Sequence, residues 1–289
     1  MKVLLTGASG QVGRALAASA PAGVVLVALG RDKLDIAAPG AAAEMVAEIA
    51  PDLILNAAAY TAVDRAESEP ALAMAINGTA VGRLAAAAAL SEARLVHIST
   101  DFVFDGRANT PYAPGAPTAP LSVYGRSKLA GEKAAGNALI VRTAWVYAAQ
   151  GANFVHTMLR LMRTRDEVRV VADQIGTPTF AGSLAEAIWR LVAQGRTQVW
   201  HYTDGGEASW HQFAVAIQEE ALTLGLLERA VPVVPISTDD YPTAAPRPAY
   251  SVLDCSVTTA ALGAPPPPWR DNLRAMLAGL KASEGTPHG

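Results

Sequence analysis

The sequence predicts an α/β fold in which a doubly wound parallel sheet is followed by a smaller α/β region. Three observations carry this. Through the first half, short apolar runs alternate with segments of helical period, the pattern of βαβ units. The runs are apolar throughout, without polar alternation, as expected of strands covered on both faces. The first run passes directly into a glycine-rich turn that opens a helix-like segment.

The elements follow in order. Residues 3–6 are the first apolar run, and 11–20 the helix-like segment beyond the turn. Residues 24–29 form a second strand, 41–50 a helix and 52–56 a third strand. A long helix is expected over 70–90, a strand over 94–99, a helix over 122–135 and a strand over 139–143. After about residue 150 the rhythm loosens. Helices are expected over 153–165, 182–194, 209–224 and 269–281, and strands over 168–171 and 198–203. Residues 239–249, rich in Pro and Ala, read as an irregular loop, and 265–268 as a stiff extended segment. The tail at 284–289 is expected to fray. There is no internal repeat and no charge block. The division expected is a dinucleotide-binding domain over 1–150 and a mainly substrate-binding region over 151–289, some of whose segments return to the first domain.

Composition narrows the function classes. A chain of 289 residues is long for one compact core and suits one large domain plus a smaller one. Alanine carries much of the 51% hydrophobic content, and runs such as 85–89 read as helix of a folded domain. No stretch reaches the roughly 18–20 uncharged apolar residues of a transmembrane helix, so no membrane partner is expected. The N-terminal apolar run stops within a few residues, short of the roughly 7–15 of a secretory signal core, so a cytoplasmic location is expected. Cys255 is the only cysteine, which excludes an intrachain disulfide and fits a reducing compartment. The net charge of −3 is dispersed with no basic stripe, so nucleic acid is not an expected partner. Of His97, His156, His201, His211 and His288, none has metal-ligand spacing to a second histidine or cysteine, so no metal site is expected. His97 lies in an apolar run and reads as a packed, hydrogen-bonded core histidine.

Gly7-Ala8-Ser9-Gly10-Gln11-Val12-Gly13 lies between the first strand and the first helix. Glycine lets the backbone turn tightly and approach a diphosphate, and the free amides and dipole of the helix N-terminus favour the anion. In this context the loop indicates a Rossmann-type dinucleotide site, with the three-residue glycine spacing of short-chain dehydrogenases. The second strand ends at Gly30-Arg31, where an NAD-specific site usually places a carboxylate. Arg31 has two readings, a partner for a 2′-phosphate or a solvated surface arginine. Asp35 and Ile36 follow, in reach of an adenine edge.

The fourth strand ends in Ser99-Thr100-Asp101, where open sheets bind ligands. Tyr124 and Lys128 follow, four apart, and so share a helix face. Reducing a ketone needs a hydride on carbon and a proton on oxygen. A lysine cation beside a tyrosine is expected to lower the phenol from its usual value of about 10. The lysine can also hold a nicotinamide ribose. Thr100 is placed to steady developing negative charge on the carbonyl oxygen.

These runs, with Asn56-Ala57-Ala58-Ala59-Tyr60-Thr61-Ala62-Val63-Asp64, Ser99-Thr100-Asp101-Phe102-Val103-Phe104-Asp105-Gly106 and Tyr124-Gly125-Arg126-Ser127-Lys128-Leu129-Ala130-Gly131-Glu132, resemble the dTDP-4-dehydrorhamnose reductase family of extended short-chain dehydrogenases. The resemblance continues through Arg142-Thr143-Ala144-Trp145-Val146-Tyr147, Asp173-Gln174-Ile175-Gly176-Thr177-Pro178-Thr179 and Ala245-Pro246-Arg247-Pro248, nearly the whole chain. It implies reduction of a dTDP-4-keto-6-deoxy sugar to dTDP-L-rhamnose, with NADPH as cofactor and NADH as the alternative. It implies Tyr124 as proton donor, Lys128 as its ribose-binding partner and Thr100 in place of the more usual serine. Gly10, Gln11 and Val12 would touch the cofactor diphosphate, and Asp35 and Ile36 would flank the adenine. Ala59, Tyr60 and Thr61 would lie along the cofactor. Thr100, Asp101 and Trp145 match positions that contact the sugar nucleotide. Tyr60 departs from members with histidine there, which touches only a cofactor-side contact. Some members bind magnesium at a dimer contact, and no such site is legible here; a homodimer stays open.

Trp145 reads either as core or as pocket wall. Arg247 reads either as a clamp on the substrate diphosphate or as an exposed arginine. Two other functions stay open: a related 4-keto sugar-nucleotide reductase or epimerase, and a non-catalytic cofactor-binding regulatory subunit. Intact Thr100, Tyr124 and Lys128 argue against the second.

Overall fold

The computed structural model describes residues 1–284. Strand β1 (Lys2–Thr6) leads through the glycine turn into α1 (Gln11–Ala18), followed by β2 (Val25–Leu29), α2 (Ala41–Ile49) and β3 (Leu53–Asn56). A short α3 (Val63–Ser68) precedes a long helical stretch made of α4 (Pro70–Met74), one π-helical turn (Ala75–Thr79) and α5 (Ala80–Leu90). β4 (Arg94–Thr100) ends in a 3₁₀ turn (Asp101–Val103), and α6 (Val123–Ala134) and β5 (Leu139–Thr143) follow. The rest comprises β6 (Val146–Tyr147), α7 (Phe154–Thr164), β7 (Val168–Val171), β8 (Ile175–Gly176), β9 (Thr179–Phe180), α8 (Ala181–Ala193) and β10 (Gln198–His201). It ends with β11 (Ala208–Ser209), α9 (Trp210–Thr223), β12 (Val233–Ile236), α10 (Ser256–Leu262) and α11 (Trp269–Glu284).

Six strands form one parallel sheet in the order β2-β1-β3-β4-β5-β10. The chain steps outward from β1 to β2 and returns to the other side of β1 at β3. The strand order therefore reverses between β1 and β3, and ligands of doubly wound sheets bind beyond the carboxyl ends at such a point. One face of the sheet is covered by Leu16 of α1 with Leu184 and Ile188 of α8. The other is covered by Val46 of α2 and Leu84 of α5. With both faces covered, Val3, Leu4 and Leu5 are all fully buried, which is why the strand sequences show no polar alternation. The fold is the Rossmann-type α/β architecture expected.

A second core joins Val155 and Leu159 of α7, Phe213 and Ile217 of α9, and Leu273 and Leu277 of α11. Beside it β12 pairs in parallel with β7. α8 and β10 follow this region's first elements in the chain, yet both complete the first sheet, β10 by pairing with β5. The helices α3 and α10, the strand β12 and the two-residue strands were not expected. Helices of fewer than two turns and strands of two residues carry too little periodicity to read.

The stretch 70–90 is helical as expected, but its π turn holds the buried Asn77 and Gly78. Gly131 of α6 packs directly on the Asn77 carbonyl, where a Cβ would collide with the oxygen. This lets α6 approach the π turn closely. By length and a mean hydropathy of 1.3 the stretch could also cross a membrane, yet half of it is buried inside the protein. The expected frayed tail and His288 lie outside the described residues, apart from Glu284 at the end of α11.

Candidate active site

The loops after β1, β3 and β4 meet at the carboxyl edge of the sheet. Gly7 has φ +67°, and a Cβ there would lie 2.5 Å from the Ala58 nitrogen, so the β1 and β3 loops touch through a position only glycine fits. Gly10 is the N-cap of α1, and no side chain among the described residues caps that helix. The first-turn amides of Gln11, Val12 and Gly13 thus lack a side-chain acceptor, the condition for binding an anion. The Gln11 side chain is held by Asn153, whose Nδ2 donates to its Oε1 at 2.9 Å.

Arg31 stands at the end of β2 with 74% of its side chain exposed, 3.8 Å from Asp35. A loose, exposed pair of this kind leaves the guanidinium available to a better anion. Asp35 also accepts the Ala37 amide at 3.0 Å. The Ile36 side chain is buried in the core under α2, so only its backbone can border a base.

Ala59, Tyr60 and Thr61 leave β3 across the same edge. Tyr60 is fixed by Asn77 of the π turn: its amide donates to Asn77 Oδ1 at 2.8 Å, and its carbonyl accepts Asn77 Nδ2 at 2.9 Å. The Tyr60 phenol donates to Glu69 at 2.5 Å, which pushes its pKa up. Asn77 Nδ2 also donates to the Ser127 hydroxyl at 3.0 Å, so one buried side chain ties the β3 loop to α6. Sequence reasoning missed Asn77. The signal was an Asn-Gly pair inside a helical pattern, where both residues are poor helix formers.

Ser122 caps α6 by accepting the Gly125 amide, which sets the start of the helix and the direction of Tyr124. The Tyr124 ring packs edge-on against Phe102, centroids 5.6 Å apart. Its phenol is buried, and burial pushes the pKa up to about 12; the Thr100 hydroxyl lowers it and the Asp101 charge raises it. This corrects the expectation that Lys128 depresses the phenol. Lys128 is 2% exposed and directs its amine inward, with Nζ donating to the Ile98 carbonyl at 2.6 Å and 3.3 Å from His97 Nε2. Burial brings the Lys128 pKa down to about 8, against a smaller upward pull from Glu132. His97 is fully buried and hydrogen-bonded, as expected.

Thr100 Oγ1 donates to Asp101 Oδ1 at 2.9 Å and accepts the Phe102 amide at 3.2 Å. Asp101 is 2% exposed, and among the described residues its Oδ2 has no hydrogen-bond partner. A buried carboxylate oxygen left unpaired is costly unless a ligand satisfies it. Burial raises the Asp101 carboxyl to about 6, while the Ser251 and Thr100 hydroxyls pull it down. Ser251 was not singled out from the sequence; it arrives with the segment after Arg247.

Trp145 follows β5 with φ +46°, a conformation rare for a bulky residue. Its indole lies over Gly176 and stacks on Trp210, centroids 3.5 Å apart and planes within 8°. It is half-buried, on the border between the second core and the sheet edge. Arg247 is neither exposed nor free. Both of its terminal nitrogens contact the Asp64 carboxylate at 2.7 Å, one also donates to the Ala245 carbonyl, and Asp64 accepts the Ala245 amide. The arginine thus clamps the 239–249 loop to the start of α3, and its charge holds Asp64 below the usual carboxylate range.

The model of the RmlD substrate binding domain matches residues 1–282. A dTDP-4-dehydrorhamnose reductase of Burkholderia thailandensis is 45% identical, over 93% of this chain and 96% of that protein. The crystal structure of a dTDP-4-dehydrorhamnose reductase from Clostridium acetobutylicum superposes with a TM-score of 0.92 at 37% identity, covering 97% of this chain and all (100%) of that one. That of a dTDP-4-dehydrorhamnose reductase from Bacillus anthracis, in complex with NADP, has a TM-score of 0.91 at 36% identity, covering 96% of this chain and 99% of that one.

Proposed function

The chain belongs to the RmlD substrate-binding-domain family, and from that premise we propose that it reduces the 4-keto group of dTDP-4-dehydrorhamnose to give dTDP-L-rhamnose. The observation that carries the reading is the meeting of Thr100, Asp101, Tyr124 and Lys128 beside the uncapped glycine loop, at the reversal point of the sheet. The cofactor is a nicotinamide dinucleotide, supported by the NADP complex of the Bacillus anthracis relative. We read NADPH as preferred, with NADH accepted. Residues 1–150 are assigned to the cofactor and 151–289 mainly to the substrate, with α8 and β10 returned to the main sheet. The reaction belongs in the cytoplasm, where a reducing compartment suits one unpaired thiol.

The glycine loop fits the dinucleotide: Gly7 allows the close approach, and the amides of Gln11, Val12 and Gly13 would hold the diphosphate, with Gly10 at the turn. Asp35 and the Ile36 backbone would border the adenine, and Ala59, Tyr60 and Thr61 would line the cofactor. Lys128 would hold the nicotinamide ribose. When bound, the cofactor supplies the hydride that C4 of the sugar accepts. The Tyr124 phenol gives its proton to the C4 oxygen, so the carbonyl becomes an alcohol. Thr100 stands beside the phenol to steady the charge it leaves behind. The unpaired Oδ2 of Asp101 accepts a sugar hydroxyl, and Trp145, backed by Trp210, borders the sugar. The test is whether NADPH is consumed one for one with the keto-sugar nucleotide. A chain that binds NADPH without consuming it is a regulatory subunit.

Two predictions arise here. Arg31→Ala is expected to weaken NADPH binding by about ten-fold, the scale of one charge-assisted hydrogen bond, and to leave NADH binding unchanged. Fluorescence titration with each cofactor checks this; equal loss for both, or none for either, removes Arg31 from the 2′-phosphate. The second concerns Arg247, whose charge is already met by Asp64. Its contribution to substrate binding is then to fasten the 239–249 loop. Arg247→Ala and Asp64→Asn should both raise the Michaelis constant for the dTDP sugar by a similar factor, with little change in turnover, because binding remote from the reacting carbon is shared by ground and transition states. An effect of Arg247→Ala without one of Asp64→Asn would return the guanidinium to the diphosphate.

A further inference from the structure

Behind Lys128 runs a hydrogen-bonded chain that no step above uses. It starts at the end of β1, where the Thr6 hydroxyl donates to Asn56 Oδ1 at 2.7 Å. The Ala58 amide donates to the same oxygen at 3.2 Å. A backbone N–H can only donate, so Ala58 decides which end of the Asn56 side chain is oxygen. The other end, Nδ2, faces His97 Nδ1 at 3.1 Å and donates to it. A neutral imidazole that accepts at Nδ1 carries its proton on Nε2. His97 is wholly buried, and burial holds its pKa well below the ordinary range, so the ring is neutral.

His97 Nε2 lies 3.3 Å from Lys128 Nζ. An ammonium offers three donors and no acceptor, so an imidazole N–H cannot bond to it. An amine has a lone pair. It can accept from Nε2–H and still donate to the Ile98 carbonyl. We propose that His97 is a positioning residue that donates its Nε2–H to the amine form of Lys128 and so favours that form over the ammonium until the cofactor arrives. Ribose hydroxyl oxygens then offer acceptors that favour the ammonium, so cofactor binding takes up a proton at Lys128. That consequence rests on the ribose-binding reading of Lys128; the tautomer and the amine do not.

Of the other charges around α6, Glu132 exerts a small upward pull on Lys128. Glu132, on the same helix, is paired with Arg142 from β5. Asp101 at the end of β4 acts on Tyr124. From α3 and its flank, Asp64 is bound to Arg247, Glu67 accepts the Val123 amide, and Glu69 meets Tyr60 and Arg65. On α5, Arg83 donates to the Ala37 carbonyl. Burial already brings Lys128 to about 8, where one hydrogen bond decides between the two forms near neutral pH.

The test is read on the ligand-free, full-length chain. Nitrogen-15 shifts of the His97 ring report its tautomer, and carbon-13-labelled lysine reports the titration of Lys128 among Lys2, Lys33, Lys133 and Lys281. A ring protonated at Nε2 and a Lys128 that titrates near 8 are expected. In His97→Gln the side-chain amide can turn its oxygen to Nζ, so the proton affinity of Lys128 should rise ten-fold or more. Adding NADPH to the wild type at pH 8 should then draw protons from a weakly buffered solution, and less in the variant. A wild-type ring protonated at Nδ1, or a wild-type Lys128 in the ordinary lysine range near about 10.4, overturns the proposal whether or not the variant folds. So does an unchanged Lys128 titration in folded His97→Gln. Failure of NADPH to bind leaves these ligand-free results standing and counts against the cofactor reading alone.

Discussion

Tyr124→Phe is expected to lower turnover by about 10²–10⁴-fold, the usual contribution of a positioned acid, while cofactor binding stays within two-fold. The phenol stands beside Thr100 in a buried site and is pushed up to about 12, so it is fully protonated at neutral pH. Removing its oxygen takes away the proton that the C4 oxygen needs. The ring still packs on Phe102, so the helix should keep its place. Stopped-flow measurement of NADPH oxidation beside a fluorescence titration separates the two quantities. A variant with more than about a tenth of the wild-type rate would assign the proton to another group, since even the weaker end of acid catalysis exceeds that loss.

A comparably large effect is expected on stability from Glu132→Ala. Glu132 and Arg142 are buried together, each with 5% side-chain exposure, and pair through two hydrogen bonds of 2.8 and 2.7 Å. The guanidinium also donates to the Pro114 carbonyl at 3.1 Å. Losing the carboxylate strands a buried cation, which typically costs about 3–5 kcal/mol. Glu132 lies one turn beyond Lys128, so the loss should reach the part of α6 that carries Tyr124 and Lys128 as well. Denaturant unfolding measures the cost. Glu132→Ala with Arg142→Met should recover part of it, because two apolar groups leave no unpaired charge. A loss under about 1 kcal/mol for the single variant would mean that water reaches the pair, as it does for surface bridges.

Much of the fold and part of the site were legible in the sequence. The main strands declare themselves because burial on both faces forbids polar residues at Val3, Leu4 and Leu5. The glycine loop is legible because the φ of Gly7 and its contact with Ala58 admit one residue type. Tyr124 and Lys128 are legible because helical spacing puts them on one face. The rest depends on partners distant in sequence. Arg247 and Asp64 lie 183 residues apart, and nothing local to either names the other. Asn77 acts through Tyr60 and Ser127 only because the π turn sits against α6. Lys128 carries a spacing that identifies it, but its inward direction follows from the packing of α6 on β4. The expected lowering of Tyr124 failed for that reason: burial sets the phenol, and the amine faces Ile98 and His97. Trp145 kept two readings because its place between Gly176 and Trp210 is set by strands too short to leave a pattern.

The central claim is that this site moves a hydride from a nicotinamide to C4 of a dTDP-linked keto sugar, with a proton from Tyr124. Its most direct test is to run the wild-type protein on dTDP-4-dehydrorhamnose with NADPH deuterated at C4 of the nicotinamide, and to examine the product by NMR and mass spectrometry. One deuterium at C4 of dTDP-L-rhamnose, with one NADPH oxidised per product, is the predicted result. A product without deuterium, or an epimerised sugar formed with no net loss of NADPH, would contradict it.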